Sequence, residues 1–171
     1  MQSETKTAVD ALFQKLFEEY RKPILNYLYR MLGDRERAEE LTQDVFVRAY
    51  RALERLPGDA NHRAWLYRIA RNIGYDRLRR RRLISWVPLW DRDRPASMHD
   101  DPKETVPERN AVQDALSKLA PKYRSPLILY SVQGHSVKEI STMMGISEGA
   151  VKTRLYRARK KFQQVYEGDA D

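Results

Sequence analysis

Cysteine is absent from the chain, which excludes disulfides and thiolate metal sites. Histidine is scarce: His62, His99 and His135 are the only three. They are too scattered to suggest a metal cluster, so no metal and no cofactor is expected. No apolar run approaches the ~20 residues that a bilayer span needs, and the start MQSETKTAVD has neither the basic opening nor the apolar core of a signal peptide. A cytoplasmic protein is the expectation. No metal or nucleophile constellation of a nucleic-acid enzyme stands out, and strand-like alternation is missing throughout.

What is present is positive charge. The 171 residues carry 32 Lys and Arg against 24 Asp and Glu, a net charge of +8. A field of that sign points to an anionic partner, nucleic acid or an acidic surface. The length suits one ordinary domain or two small ones.

Helical spacing organises residues 8–82. Apolar positions recur at three and four in Leu12 and Leu16, in Ile24, Leu28 and Met31, and along Ala38, Leu41, Val45, Ala49, Ala52 and Leu56. Gly33-Asp34 separates two helices, and Leu56-Pro57-Gly58 is expected to end the longest. Residues 83–108 differ in kind, with prolines at 88, 95, 102 and 107 and no sustained period. That composition predicts an acidic linker, although Leu83, Ile84, Trp86, Val87, Leu89 and Trp90 open it with an apolar patch that either packs on the first domain or docks a partner. Helical spacing returns over 109–166 through Val112, Leu116 and Leu119, and beyond Pro121 through Leu127, Leu129 and Tyr130. The predicted fold class is all-α: two small helical domains joined by an extended linker.

The sharpest local signal is GHSVKEISTMMGISEGAVKTRLYRARKKF. Ser136 and Glu139 form a capping box, Gly145 supplies a residue that leaves a helix with positive φ, and Ser147 can cap a second helix. Ile140, Met144, Ile146, Val151 and Leu155 would hold the two helices at their angle. Glu148, Gly149, Lys152, Thr153, Arg154 and Arg157 are then left outside, and Arg159, Lys160 and Lys161 extend the basic surface. This is a helix-turn-helix, whose second helix enters the major groove of DNA.

The stretch NHRAWLYRIARNIGYDRLRRRR carries eight arginines and one acid, Asp76. At 100° per residue Leu66, Ile69, Ala70 and Ile73 fall on one side, and Arg68, Arg71, Tyr75, Arg79 and Arg82 on the other, with Trp65 and Asn72 at the margin. Basic residues interleaved with aromatics suit an unstacked strand, whose backbone arginine grips while a ring replaces a lost stacking neighbour. Trp65 and Tyr67 could equally be core or boundary packing. The arginine stripe carries the reading.

The order AEELTQDVFVRAY at 38–50, RAWLYRIARN at 63–72 with Asp76 and RRRR after it, and GISEGAVKTRLYRAR at the end resembles the extracytoplasmic-function (ECF) sigma factors of the sigma-70 family. The likeness runs from about Leu12 to Phe162. It implies a non-catalytic subunit that binds core RNA polymerase and directs promoter-specific initiation. Residues 8–82 would be sigma region two, for polymerase binding and for recognising and melting the −10 element. Residues 109–166 would be region four, reading the duplex −35 element with Ser147, Glu148, Gly149, Lys152, Thr153, Arg154, Arg157 and Lys160.

By the same resemblance Gln43, Asp44, Val47, Arg48 and Arg51 would engage the clamp helices of the polymerase. The single-stranded −10 element would meet Asp59, Asn61, His62, Arg63, Trp65, Arg68, Arg71, Asn72, Tyr75 and Arg79, with one extruded base in the loop 57–62. The linker would run through the active-site and RNA-exit channels. An anti-sigma factor is implied as a further partner, wedged between the domains and able to sequester the otherwise nucleoid-associated chain at the membrane. Two departures are His62, where the family has an aromatic, and Ser141, where the turn motif has alanine. Nothing after Phe162 resembles the regulatory domains of some relatives, so control is expected from outside the chain. A free-standing helix-turn-helix regulator, with an N-terminal bundle for sensing or dimerisation, is the competing reading; it would bind duplex sites alone as a two-fold dimer.

Overall fold

In the computed structural model of the protein, which describes residues 2–84 and 107–168, all regular structure is helical. A first half comprises α1 (Gln2–Leu32), α2 (Arg35–Leu53) and α3 (His62–Ile84); a second comprises α4 (Pro107–Ser117), α5 (Pro121–Leu127), α6 (Val137–Met144) and α7 (Glu148–Gly168). Of the linker expected over 83–108, Leu83 and Ile84 belong to the end of α3 and Pro107 and Glu108 to the start of α4, while residues 85–106, with Trp86 and Trp90, lie outside the described residues.

The longest helix is α1, with 31 residues, rather than the 19-residue helix ahead of Pro57. The apolar groups around Leu12 and around Ile24 lie on one continuous helix that carries Pro23 in its interior. Burial of Ile24, Tyr27, Leu28 and Met31 just beyond the proline offsets the backbone bond that Pro23 cannot donate.

The helix ends are written in side chains. Gly33 adopts φ 73° after α1, and its N–H bonds Tyr29 O at 2.8 Å, the left-handed exit that favours glycine. Asp34 then caps α2 by accepting from Arg37 N at 3.0 Å, and Asn61 caps α3 by accepting from Ala64 N at 3.0 Å. Pro121 sits in the first turn of α5, where a missing N–H costs nothing. Beyond α5 the backbone widens into a π-helical segment, Ile128–Val132, in which Gln133 N bonds Ile128 O at 3.1 Å.

The helix-turn-helix forms as its sequence predicts. Ser136 Oγ accepts from Glu139 N at 3.2 Å, the Glu139 carboxylate accepts from Ser136 N at 2.8 Å, and Gly145 leaves α6 at φ 65°. Ser147 Oγ caps α7 through Ala150 N at 3.1 Å. Ser141, the departure from alanine, donates its hydroxyl to Ile146 O at 2.6 Å and ties the turn to α6. Ile140, Met144, Val151 and Leu155 are buried between the helices, and Ile146 packs at their edge.

The two helical clusters do not stand apart. One hydrophobic core runs from Ile24, Leu28 and Leu66 of the first half into Leu127, Ile128, Ile140 and Val151 of the second. Polar contacts stitch the same seam. Tyr27 Oη and Ser125 Oγ meet at 2.7 Å in the interior, Tyr67 Oη donates to Gln133 Oε1 at 2.7 Å, and Gln133 Nε2 donates to Pro23 O at 2.7 Å. Gln113 Nε2 reaches Arg30 O at 3.0 Å. The buried Arg124 guanidinium donates to Met31 O across the seam, and to Ser117 O at 2.6 Å and Leu119 O at 2.8 Å within its own half.

Candidate nucleic-acid interface

Helix α7 buries Val151, Leu155 and Ala158 at helical spacing, so its remaining faces turn outward. Glu148, Gly149, Lys152, Thr153, Arg157 and Lys160 are exposed, and Arg154 is half-buried. Two predicted groups are partly engaged: Ser147 spends its hydroxyl on the cap, and Thr153 Oγ1 donates to Gly149 O at 3.0 Å. Arg157 hydrogen-bonds the Tyr123 phenol and holds it below its usual pKa. Arg159 leaves this face, stacking its guanidinium 4.9 Å from the Tyr130 ring centroid. The outcome is a cationic face on the second helix of a capped turn motif, which can grip phosphates and reach base edges.

Helix α3 sorts as its periodicity predicts, with Leu66, Ala70 and Ile73 buried. Tyr67 belongs to the core, 2% exposed, and Trp65 packs at its margin. Along the stripe opposite, Arg68 and Arg79 are exposed while Arg71 and Tyr75 are half-buried, and several of these side chains are already engaged. Arg68 Nη2 donates to Thr142 O at 3.0 Å, and Arg71 Nη1 donates to Met144 O. Tyr75 Oη donates to Pro121 O at 3.0 Å, and Arg63 pairs with Glu139 at 3.1 Å. The physical reason is α6: its last turn presents unpaired carbonyls with partial negative charge, and arginines on α3 take them up. Asn72 Oδ1 accepts from Arg71 Nη2 at 2.9 Å, while Arg79 pairs with Asp76 at 3.0 Å on its own helix.

Asp59, in the loop before α3, is exposed, and His62, the first residue of α3, is half-buried. Asn61 is only partly available for reading a base, because its Oδ1 is committed to the α3 cap. On α2, Gln43, Asp44, Val47, Arg48 and Arg51 are all exposed, off the buried row of Ala38, Thr42, Val45, Phe46, Ala49 and Leu53. Tyr50 joins that outer face and donates to Asp10 Oδ1 at 2.9 Å.

Sequence reasoning missed the seam residues Tyr27, Arg124, Ser125 and Gln133. Their one sequence signal is polarity on the apolar side of a helix, and that does not name the partner. His135 was also unassigned. Its ring meets Tyr67 edge-on at 5.2 Å, and burial pulls its imidazole below the usual pKa against the opposing pull of Glu139. Burial raises the Tyr27 and Tyr67 hydroxyls, so both stay protonated donors or acceptors of the seam. Among the described residues no group of three or more His, Asp or Glu could hold a metal ion, and no helix is long and apolar enough to cross a membrane.

Comparison with known proteins agrees with this layout. The family described as Sigma-70 region 2 matches residues 16–84, and Sigma-70, region 4 matches residues 109–162. Among curated relatives, the ECF RNA polymerase sigma factor SigL of Mycobacterium tuberculosis is 32% identical, over 86% of this chain and 85% of its own length. SigW of Bacillus subtilis is 28% identical over 89% and 87%. SigE of Mycolicibacterium smegmatis is 30% identical over 88% of this chain, which spans 60% of that relative's length. In three dimensions the chain is similar to CnrH, solved in complex with the cytosolic domain of CnrY, with a TM-score of 0.70, 26% identity, and coverage of 98% and 95%. The sigma factor RpoE of Bartonella quintana, solved with the anti-sigma factor NepR, shares the fold at a TM-score of 0.69 and 22% identity over 91% and 96%.

Proposed function

The chain belongs to the ECF RNA polymerase sigma factors, and from that premise we propose that it binds core polymerase and confers promoter specificity by reading a −35 and a −10 element. The observation that carries this reading is the capped turn motif with its cationic α7 following, in one chain, a bundle whose α3 bears an arginine row. The regulator alternative loses its footing, since residues 16–84 match a sigma region rather than a sensing or dimerisation bundle.

In this mechanism Gln43, Asp44, Val47, Arg48 and Arg51 of α2 dock on the polymerase. Lys152, Arg154, Arg157 and Lys160 hold the duplex −35 element, with Glu148 and Gly149 at the groove edge. Arg68, Arg71 and Arg79 neutralise phosphates of the −10 strand, Tyr75 and Trp65 offer ring faces, and the loop 57–62 receives an extruded base. Opening a pair and unstacking a base costs a few kcal/mol, and the arginine row offsets that cost only where the strand lies along it. The chain is non-catalytic. Its site of action is the cytoplasm, and an anti-sigma factor is its proposed second partner, as in the RpoE and NepR complex.

The test is a randomised-promoter selection on holoenzyme reconstituted from purified core and this chain, repeated after exchange of loop 57–62 for that of a relative. The preferred base changes at one −10 position and the −35 preference stays. Failure of the chain to co-purify with core, or identical −10 preferences after the exchange, contradicts the assignment.

A further inference from the structure

Beside the cationic face of α7, α5 packs against it and brings two more groups to Arg157. The Tyr123 ring, in the first turn of α5, is half-buried on the core, and Lys122 Nζ lies 5.0 Å from its centroid. The phenol oxygen accepts hydrogen bonds from Arg157 and from Lys122. Both cations are exposed, and neither has a carboxylate partner among the described residues. The Arg157 bond, joined by the charge of both cations and opposed by burial, holds the phenol below its usual pKa.

Two like charges gathered on one hydroxyl repel each other, and an anion placed between them relieves the repulsion. We propose that Tyr123 is a positioning residue for duplex DNA: it assembles Lys122 and Arg157 into a clamp for one backbone phosphate at the edge of the −35 element. This rests on the reading of α7 as the −35 helix. A backbone phosphate presents unesterified oxygens that a guanidinium and an ammonium can hold together. The clamp fixes register on the duplex and carries no sequence information of its own.

The platform that carries the phenol is rigid. Pro121 opens α5 and Pro126 lies inside it, Arg124 and Ser125 beside Tyr123 are buried, and the N–H groups of Tyr123 and Arg124 both bond Ala120 O at 2.9 Å. A free lysine or arginine loses rotamer freedom when it grips a phosphate. Here the phenol restrains both side chains before DNA arrives. Removing the hydroxyl alone keeps the ring and both charges but returns that ordering cost to the binding step, which lowers affinity about three- to tenfold.

The test measures binding of holoenzyme to a promoter duplex selected on it, and to a set of duplexes in which each phosphate along the −35 element is replaced in turn by an uncharged methylphosphonate. With the unaltered chain, neutralising the clamped phosphate weakens binding. Tyr123→Phe weakens binding to the natural duplex about three- to tenfold, leaves the −35 base preference and the melting temperature of the chain unchanged, and costs nothing more on the duplex whose clamped phosphate is neutral. In a chain that carries Lys122→Ala and Arg157→Ala, Tyr123→Phe has no further effect. Unaltered affinity of Tyr123→Phe for the natural duplex overturns the proposal, as does a loss that persists whichever phosphate is neutralised or after both cations are gone, which would make the hydroxyl merely structural. The reading beneath fails by a different result: unchanged −35 binding by holoenzyme carrying Lys152→Ala, Arg154→Ala and Arg157→Ala together.

Discussion

Arg124→Met removes a charge that no carboxylate among the described residues balances. Arg124 is 6% exposed, and its guanidinium spans Met31 O in the first half and Ser117 O and Leu119 O in the second. Methionine keeps most of the aliphatic stem, so packing is largely retained and three carbonyl oxygens lose their donor. Hydrogen bonds from a charged group contribute about 1.5 to 3 kcal/mol each, but a guanidinium that is no longer buried returns several kcal/mol of desolvation cost. That cost is visible in the same side chain, since burial pulls the Arg124 pKa down. The difference is a destabilisation of about 3 kcal/mol. For a chain of this size each 1 kcal/mol moves Tm by about 2 to 4 °C, so the melting temperature falls by about 6 to 12 °C. Thermal and urea denaturation followed by circular dichroism measures it. A loss below about 1 kcal/mol would show that the three carbonyls find other donors or water, and that Arg124 is not the staple of the seam.

Three further outcomes are expected. Asp44→Lys lowers affinity for core polymerase while stability stays within about 0.5 kcal/mol, because Asp44 is exposed and off the buried row of α2; a pull-down at normal yield contradicts it. Lys152→Ala and Arg154→Ala weaken −35 recognition and leave core binding intact: a base contact costs about 1 to 3 kcal/mol at one position, whereas a phosphate contact weakens all sequences alike. Unchanged transcription from a cognate promoter contradicts that assignment. His135 has a depressed pKa in the folded chain, facing Glu139 and Arg63, with Glu19, Lys22 and Tyr20 around the same cavity. The unfolded chain binds the extra proton first, so this contribution to stability is complete above about pH 6.5 and is lost as pH falls through the depressed value. His135→Phe flattens Tm against pH in that window, well above the range where Glu139, itself held low by its bond from Ser136 N, is protonated.

Local rules read most of the fold. The capping box of Ser136 and Glu139, the glycine exits at Gly33 and Gly145, and the buried rows of α2, α3 and α7 are short-range features, and each was legible in the residues. Pro23 shows where a local rule loses: the proline suggests a boundary, and burial of the turns around it keeps α1 continuous. The seam was not legible, because it joins residues 66 to 110 positions apart, such as Tyr67 to Gln133 and Pro23 to Gln133. Amphipathic spacing says that a helix has a buried side and does not say against which helix. The arginines of α3 illustrate it best. Periodicity placed Arg68, Arg71 and Tyr75 together on one face, as found, but only the packing of α6 reveals that carbonyl oxygens already sit there.

The central claim, that α3 opens and holds the −10 element, is tested most directly by permanganate reactivity of unpaired thymines in a cognate promoter bound by holoenzyme. Reactive thymines across the −10 element are expected with the unaltered chain, and their loss when Arg68, Arg71 and Arg79 are all changed to alanine while core binding and −35 contact persist. Normal thymine reactivity with the triple variant would contradict the account and leave the arginine row only the role of packing against α6.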